Sequence, residues 1–146
     1  MSAIKPLMRY HGAKWRLAPW IISHFPPHNC YVEVFGGSAA VLLTKPIAAN
    51  EVFNDINSEV ATLFRVLREP LTSKKLIEAI EMTPYSRDEF VDAYKVSECE
   101  IETARRMLVR ANMGFGSGGA TRQVTGFRSY TNRPGKSLTA HWKETA

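Results

Sequence analysis

The run Tyr31-Val32-Glu33-Val34-Phe35, followed at once by Gly36-Gly37-Ser38, constrains the fold more than any other stretch of the chain. Four β-branched and aromatic positions around one acid read as a buried parallel strand. Two glycines directly after a strand let the backbone turn tightly and approach a ligand closely. The small and apolar Ala39-Ala40-Val41-Leu42-Leu43 then reads as the start of a helix, whose free amides and positive dipole end face the turn. A second short strand, Glu51 to Ile56, carries Asp55 at its end, and Asn57 caps a helix with the apolar stripe Val60, Leu63, Phe64 and Leu67. Strand, glycine turn, helix, strand and acid form the first half of a nucleotide-binding βαβ unit with a right-handed crossover.

Around this unit the pattern is helical. Arg16 to Phe25 reads as a short amphipathic helix with Leu17, Trp20, Ile21 and Phe25 on one face, ended by Pro26-Pro27. After Arg68-Glu69-Pro70, Leu76, Ile77 and Ile80 mark another helix. Ser86 to Glu89 and Ser97 to Glu100 each have the form of a capping box. The second opens a helix carrying Ile101, Ala104, Leu108 and Ala111. From Gly114 to Gly135 the chain reads as loops, with a β-hairpin across Gln123 to Tyr130.

The length of 146 residues suits one domain or one and a half small ones, and 45% hydrophobic with 23% charged residues excludes wholesale disorder. No apolar run is long enough to span a bilayer and Met1 to Pro6 lacks a secretory core, so the expected location is the cytoplasm with no membrane partner. Cys30 and Cys99 are too few and too far apart for a disulfide scaffold or zinc knuckle. His24 and His28 are four apart, but Pro26-Pro27 breaks any helix between them, and no metal site is expected. Charge is unevenly spread. Residues 1–104 carry 11 Lys/Arg against 13 Asp/Glu, whereas residues 105–146 carry 8 against Glu144 alone. Such asymmetry fits either an anionic partner, most often nucleic acid, or a solvated basic surface.

The glycine turn is not a full G-x-G-x-x-G, and no phosphate-binding Gly-Lys-Ser/Thr loop is present. Asp55 follows the glycines at about the 20-residue spacing of an acid that accepts from a ribose diol; a turn-forming role reads equally well. Glu33 reads either as a contact to a bound amino group or as a hydrogen-bonded structural acid.

Three segments taken together resemble the Dam-type adenine-N6 DNA methyltransferases, a family often carried by phages. They are Tyr10-His11-Gly12-Ala13-Lys14, Val32-Glu33-Val34-Phe35-Gly36-Gly37-Ser38-Ala39 and Asn54-Asp55-Ile56-Asn57, in the family's order and spacing. Asn112-Met113-Gly114-Phe115-Gly116 resembles a fourth segment more loosely. Ala13, Val34 and Ala39 stand where the family has Gly, Pro and Gly, and each adds side-chain atoms where the backbone is expected to turn sharply.

The resemblance implies an α/β fold: a partial Rossmann-like methyltransferase fold with a mostly helical target-recognition insert. It divides into a cofactor-binding part at residues 1–68 and a DNA-recognition part at residues 69–146. It implies S-adenosyl-L-methionine as cofactor, with Tyr10 bordering the adenosine and Lys14 reaching into the site. Phe35, Gly36, Gly37 and Ser38 wrap the methionine part beside Glu33, and Asp55 with the adjacent Ile56 meets the ribose. Double-stranded DNA is the implied partner, with Arg110, Asn112, Arg122, Arg128, Arg133 and Lys136 as its contacts.

The family's base-handling motif, D/N-P-P-Y/F, accepts the amino hydrogens of a flipped adenine and stacks on the base. The chain has only Phe25-Pro26-Pro27-His28, a helix stop, and the single proline of Thr83-Pro84-Tyr85. No catalytic residue is therefore assigned, and the chain is expected to be the front portion of a larger enzyme, with its C-terminal half as a partner. An unpaired strand edge points the same way. The alternatives are a DNA-binding module of the same fold without the chemistry, and an NAD-type nucleotide domain, against which the incomplete glycine pattern and the N-terminal arm argue.

Overall fold

Helices with an apolar stripe supply most of the core. In the computed structural model, which describes residues 6–130 and Trp142, α1 is Ala18–Ile22, α2 Ser58–Arg68, α3 Pro70–Met82, α4 Arg87–Asp92 and α5 Glu100–Met113. α2 buries Val60, Leu63 and Val66, α3 Leu76 and Ile80, α4 Phe90, and α5 Ala104, Met107, Leu108 and Ala111. Met8 of the N-terminal arm, Ala120 and Trp142 join the same cluster. None of the described helices is long and apolar enough to cross a membrane.

The helix starts follow local chemistry. The Asn57 side chain accepts the Glu59 amide at 3.1 Å, Pro70 occupies the first turn of α3, and Ser86 Oγ accepts the Glu89 amide at 3.2 Å. The capping box expected at Ser97 to Glu100 does not form. Ser97 Oγ takes the Cys99 amide at 3.2 Å, and the Glu100 carboxylate is drawn to Arg65, so α5 begins without a side-chain cap.

Strands β1 (Cys30–Glu33) and β2 (Asn50–Phe53) pair in parallel with Val32 opposite Val52. Bonds from the Asn54 amide to Glu33 O and from the Gly36 amide to Asn54 O, both 2.8 Å, carry the pairing into the glycine turn. The sheet is not buried as the sequence suggested: Val32 is 50% exposed and Val52 49%. No residue of β1 enters the core, and β2 touches it through Phe53, whose ring meets Phe64 at 4.9 Å. Among the described residues there are only these two strands, so each has one unpaired edge.

Three further expectations are corrected. Residues 39–43 form successive turns rather than a regular helix, because Ala39 is left-handed (φ +54°) and the Leu42 amide is diverted to Glu33 Oε2 at 3.0 Å. α1 is shorter than Arg16 to Phe25 and buries only Ala18, leaving Leu17 and Trp20 exposed. Residues 123–130 do not fold into a hairpin. They pair instead with the end of α5, through Phe115 N to Gly126 O and Arg128 N to Met113 O, both 2.7 Å. The Tyr85 and Tyr94 hydroxyls donate to Arg128 O and Gln123 O and hold this strip in place.

Candidate functional site

A cavity of about 570 Å³ opens between the N-terminal arm and the end of β1. Tyr10, Lys14, Glu33, Phe35, Gly36, Gly37 and Ser38 all line it, so the structure brings together two segments, 10–14 and 33–38, that the sequence separates. The two glycines are required by packing. A Cβ on Gly36 would lie 2.1 Å from the Phe53 ring, and one on Gly37, which has φ +50°, would lie 2.8 Å from the Tyr10 ring. The arm and the turn are therefore fitted face to face through Tyr10. Of the three departures from the family pattern, Ala39 adopts a left-handed conformation whereas Ala13 and Val34 do not. Ala13 and Val34 add their side chains without that backbone strain.

Asp55 and Ile56 do not line the cavity. Asp55 lies behind the turn, where Oδ2 accepts the Gly37 amide at 2.7 Å and Oδ1 accepts the Asn57 amide at 2.8 Å. Ile56 is fully exposed. Glu33 uses Oε2 for both of its bonds, from the Tyr31 hydroxyl at 2.8 Å and from the Leu42 amide. That contact, together with burial, pushes the Tyr31 hydroxyl well above its ordinary pKa, burial being the larger cause. Burial also raises the Tyr10 hydroxyl, the Asp55 charge adds to the rise, and a hydrogen bond with Asn57 opposes it. Lys14 Nζ turns back onto Gly12 O.

The cavity has the size and aromatic lining of a small-molecule site. Tyr10, Phe25, Tyr31 and Phe35 supply the rings, and Phe35 is 88% exposed at its edge. Ser38 Oγ is buried within the turn without a hydrogen-bond partner, and such a group calls for a bound acceptor or donor. A nucleoside-bearing cofactor without phosphate fits this set: rings to stack on, a glycine turn for close backbone contact, and a spare hydroxyl.

The expected DNA contacts fare differently. Arg110 is fully buried; it pairs with Glu59 Oε2 at 2.5 Å, donates to Gly119 O at 3.2 Å and to Ala93 O, and burial lowers its pKa against the opposing pull of Glu59. Asn112 is also buried, its amide donating to Leu108 O at 2.9 Å. Neither side chain is available to DNA, and both are corrected to structural residues. Arg122, left-handed at φ +59°, spends Nε and Nη2 on Glu59 Oε1 and Nη1 on Tyr94 O. Arg128 forms no such ion pair among the described residues, and its Nη1 is buried without a hydrogen-bond partner there. Arg133 and Lys136 lie outside the described residues.

Four of the eight basic residues of 105–146 are thus answered by acids in space. Arg105 grips Glu102 with a two-pronged contact and also reaches Glu89 at 2.9 Å; Arg106 shares Glu102 at 2.7 Å; Arg110 and Arg122 share Glu59. The sequence reading missed His11, which meets Ser117 Oγ at 3.2 Å, and the second task of Asn57, whose Nδ2 donates to Ala120 O at 3.1 Å. Both are long-range contacts with no local signature.

Comparison with known proteins identifies the family. A stretch covering 53% of the chain is 33% identical over 79 residues to the modification methylase StsI of Streptococcus sanguinis. The match spans 12% of that protein's length. The model of the D12 class N6 adenine-specific DNA methyltransferases matches residues 10–140, from the cavity-lining Tyr10 to beyond the arginine-bearing strip. With nine-tenths of its length inside that match, the chain belongs to the D12 class of N6 adenine-specific DNA methyltransferases.

Proposed function

We propose that the chain is the cofactor-binding and DNA-recognition portion of an adenine-N6 DNA methyltransferase that uses S-adenosyl-L-methionine. The observation that carries this reading is the Tyr10 ring laid against Gly37, which makes one cavity wall from the arm and the glycine turn. Tyr10 borders the adenosine, Phe35 to Ser38 hold the methionine part, and Glu33, whose two internal bonds both use Oε2, offers Oε1 to the amino group. Asp55 braces the turn from outside the cavity lining; we place the ribose at the rim beside Gly37, where each Asp55 oxygen, bonded once, keeps a lone pair for its hydroxyls. When bound, the cofactor supplies an electrophilic methyl group.

In this reading β1, the glycine turn and β2 are part of a Rossmann-like sheet, and the helices after residue 68 form the target-recognition region. Double-stranded DNA is the substrate, a second segment bearing D/N-P-P-Y/F completes the base pocket, and the enzyme works in the cytoplasm. Calorimetric titration with S-adenosyl-L-methionine and with NAD tests the cofactor assignment. Binding of the first, lost in Tyr10→Ala, supports it; binding of NAD alone overturns it. A second reading, DNA binding without methyl transfer, rests on the lack of a D/N-P-P-Y/F segment in the 146 residues. Transfer of a labelled methyl group to duplex DNA separates the two.

A further inference from the structure

β1 places Tyr31 and Glu33 two residues apart, on one face of the strand, where both are half-buried and both line the cavity. The Tyr31 hydroxyl donates to Glu33 Oε2 at 2.8 Å, and the Leu42 amide donates to the same oxygen at 3.0 Å. Among the described residues nothing donates to Oε1. Two donors on one oxygen fix the rotation of a side chain that would otherwise exchange its oxygens freely. The ordering is complete before any ligand arrives.

The tyrosine is itself clamped. The Lys45 ammonium lies 4.8 Å from the centre of its ring, and Phe25 meets the ring at 5.5 Å. The Lys45 side chain is 1% exposed; it pairs with Glu51, the residue opposite Tyr31 across the sheet, and donates to Pro46 O at 2.7 Å. Taking an ammonium out of water is costly even when it is paired. Lys45 does not line the cavity, so what its burial secures is the position of the ring. Burial and the neighbouring Glu33 carboxylate both keep the Tyr31 hydroxyl protonated, so it acts as a donor and carries no charge of its own.

We propose that Tyr31 is a positioning residue: by holding Glu33 Oε2 it presents Oε1 to the ammonium of a ligand's amino-acid chain. The cavity thereby selects adenosyl amino acids over adenosyl thioethers that lack the amino group. The proposal rests on the cofactor reading above and adds to it the residue that sets this preference. Tyr31 itself touches no ligand atom in this role, because its hydroxyl is committed to Glu33.

The test uses the full chain and two neutral thioethers, S-adenosyl-L-homocysteine and its deamino analogue, which differ only at the amino group. Calorimetry of the parent chain should show tighter binding of the first. Tyr31→Phe keeps the ring that Lys45 and Phe25 contact and removes only the hydroxyl. It should weaken S-adenosyl-L-homocysteine about tenfold, the order for a misplaced bond to a charged group, and leave the deamino analogue within about twofold of the parent. Glu33→Gln should erase the preference, and adding Tyr31→Phe to it should change affinity for the first ligand no further, as for a residue that acts through its neighbour. Equal loss of both ligands in Tyr31→Phe, loss of neither, or a further loss in the double variant overturns the proposal. A parent chain that binds both ligands equally keeps the nucleoside site and overturns the ammonium contact, and the positioning role with it. A parent chain that binds neither ligand overturns the cofactor reading itself together with the proposal.

Discussion

The Asp55 carboxylate at the end of β2 accepts the Gly37 amide at 2.7 Å, so an acid from one strand fixes the glycine turn that follows the other. The same carboxylate accepts the Asn57 amide and thereby sets the entry to α2. Position 55 thus takes the turn-forming role its sequence context allows, and the ribose role stays part of the proposed function.

Replacing Asp55 separates those roles. Asp55→Ala frees two backbone amides and should lower stability by about 2 kcal/mol in urea titrations, besides weakening cofactor binding. Asp55→Asn keeps one acceptor oxygen and should hold the turn better while losing affinity for S-adenosyl-L-methionine in calorimetry. Unchanged affinity in Asp55→Asn would make the residue a brace alone.

Ala39 sits at φ +54°, where an L side chain is strained and glycine is not. Ala39→Gly should stabilise the chain by about 1 kcal/mol, read as a higher urea midpoint at constant slope. Gly36→Ala should do the reverse and more strongly, because its methyl group would collide with the Phe53 ring. A destabilised Ala39→Gly would show that the turn has a different conformation.

Arg110 is one of the DNA contacts that the family resemblance implies, and its burial excludes that role. Arg110→Ala strands the Glu59 carboxylate beside Arg122 alone and should cost about 3 kcal/mol of stability. Arg106→Gln, at the edge of its ion pair, should cost under about 1 kcal/mol. Denaturant midpoints for the two variants check this, and equal effects would contradict the burial of Arg110.

The Arg105 guanidinium holds the Glu102 carboxyl below the usual glutamate range, with Arg106 assisting and partial burial opposing. A depressed carboxylate contributes stability above its unfolded pKa, and that contribution is lost as pH falls through the lower folded value. Acid should therefore loosen the Glu102–Arg105–Arg106 cluster on α5 only below the ordinary glutamate pKa of about 4.3. Urea midpoints between pH 6 and pH 3 should fall less steeply in Glu102→Gln than in the parent chain.

Elements whose signals are local were legible in the sequence. The parallel strands, the Asn57 cap and the apolar stripes of α2 and α5 all follow from alternation, capping chemistry and helical spacing over a few residues. The charge pattern was not, since the acids that answer Arg110 and Arg122 come from Glu59, 51 and 63 residues away. The Ser97 capping box failed for the same reason: Arg65, 35 residues off, claims its glutamate. At the cavity, the sequence grouped Tyr10 and Gly37 by analogy, but their ring-on-backbone contact depends on how the arm folds over α2 and the core.

The strand pair bearing the glycine turn meets the helical core at little more than Phe53, and among the described residues both strands have an open edge. Regions with so few buried contacts open locally before the rest of a protein unfolds. Warming should accordingly empty the cavity while the helices still show their full circular dichroism. A ligand lodged between Tyr10 and the turn moves that first transition upward with its concentration and leaves the second almost where it was. The protein then has two melting points, and only the lower one reports what it binds.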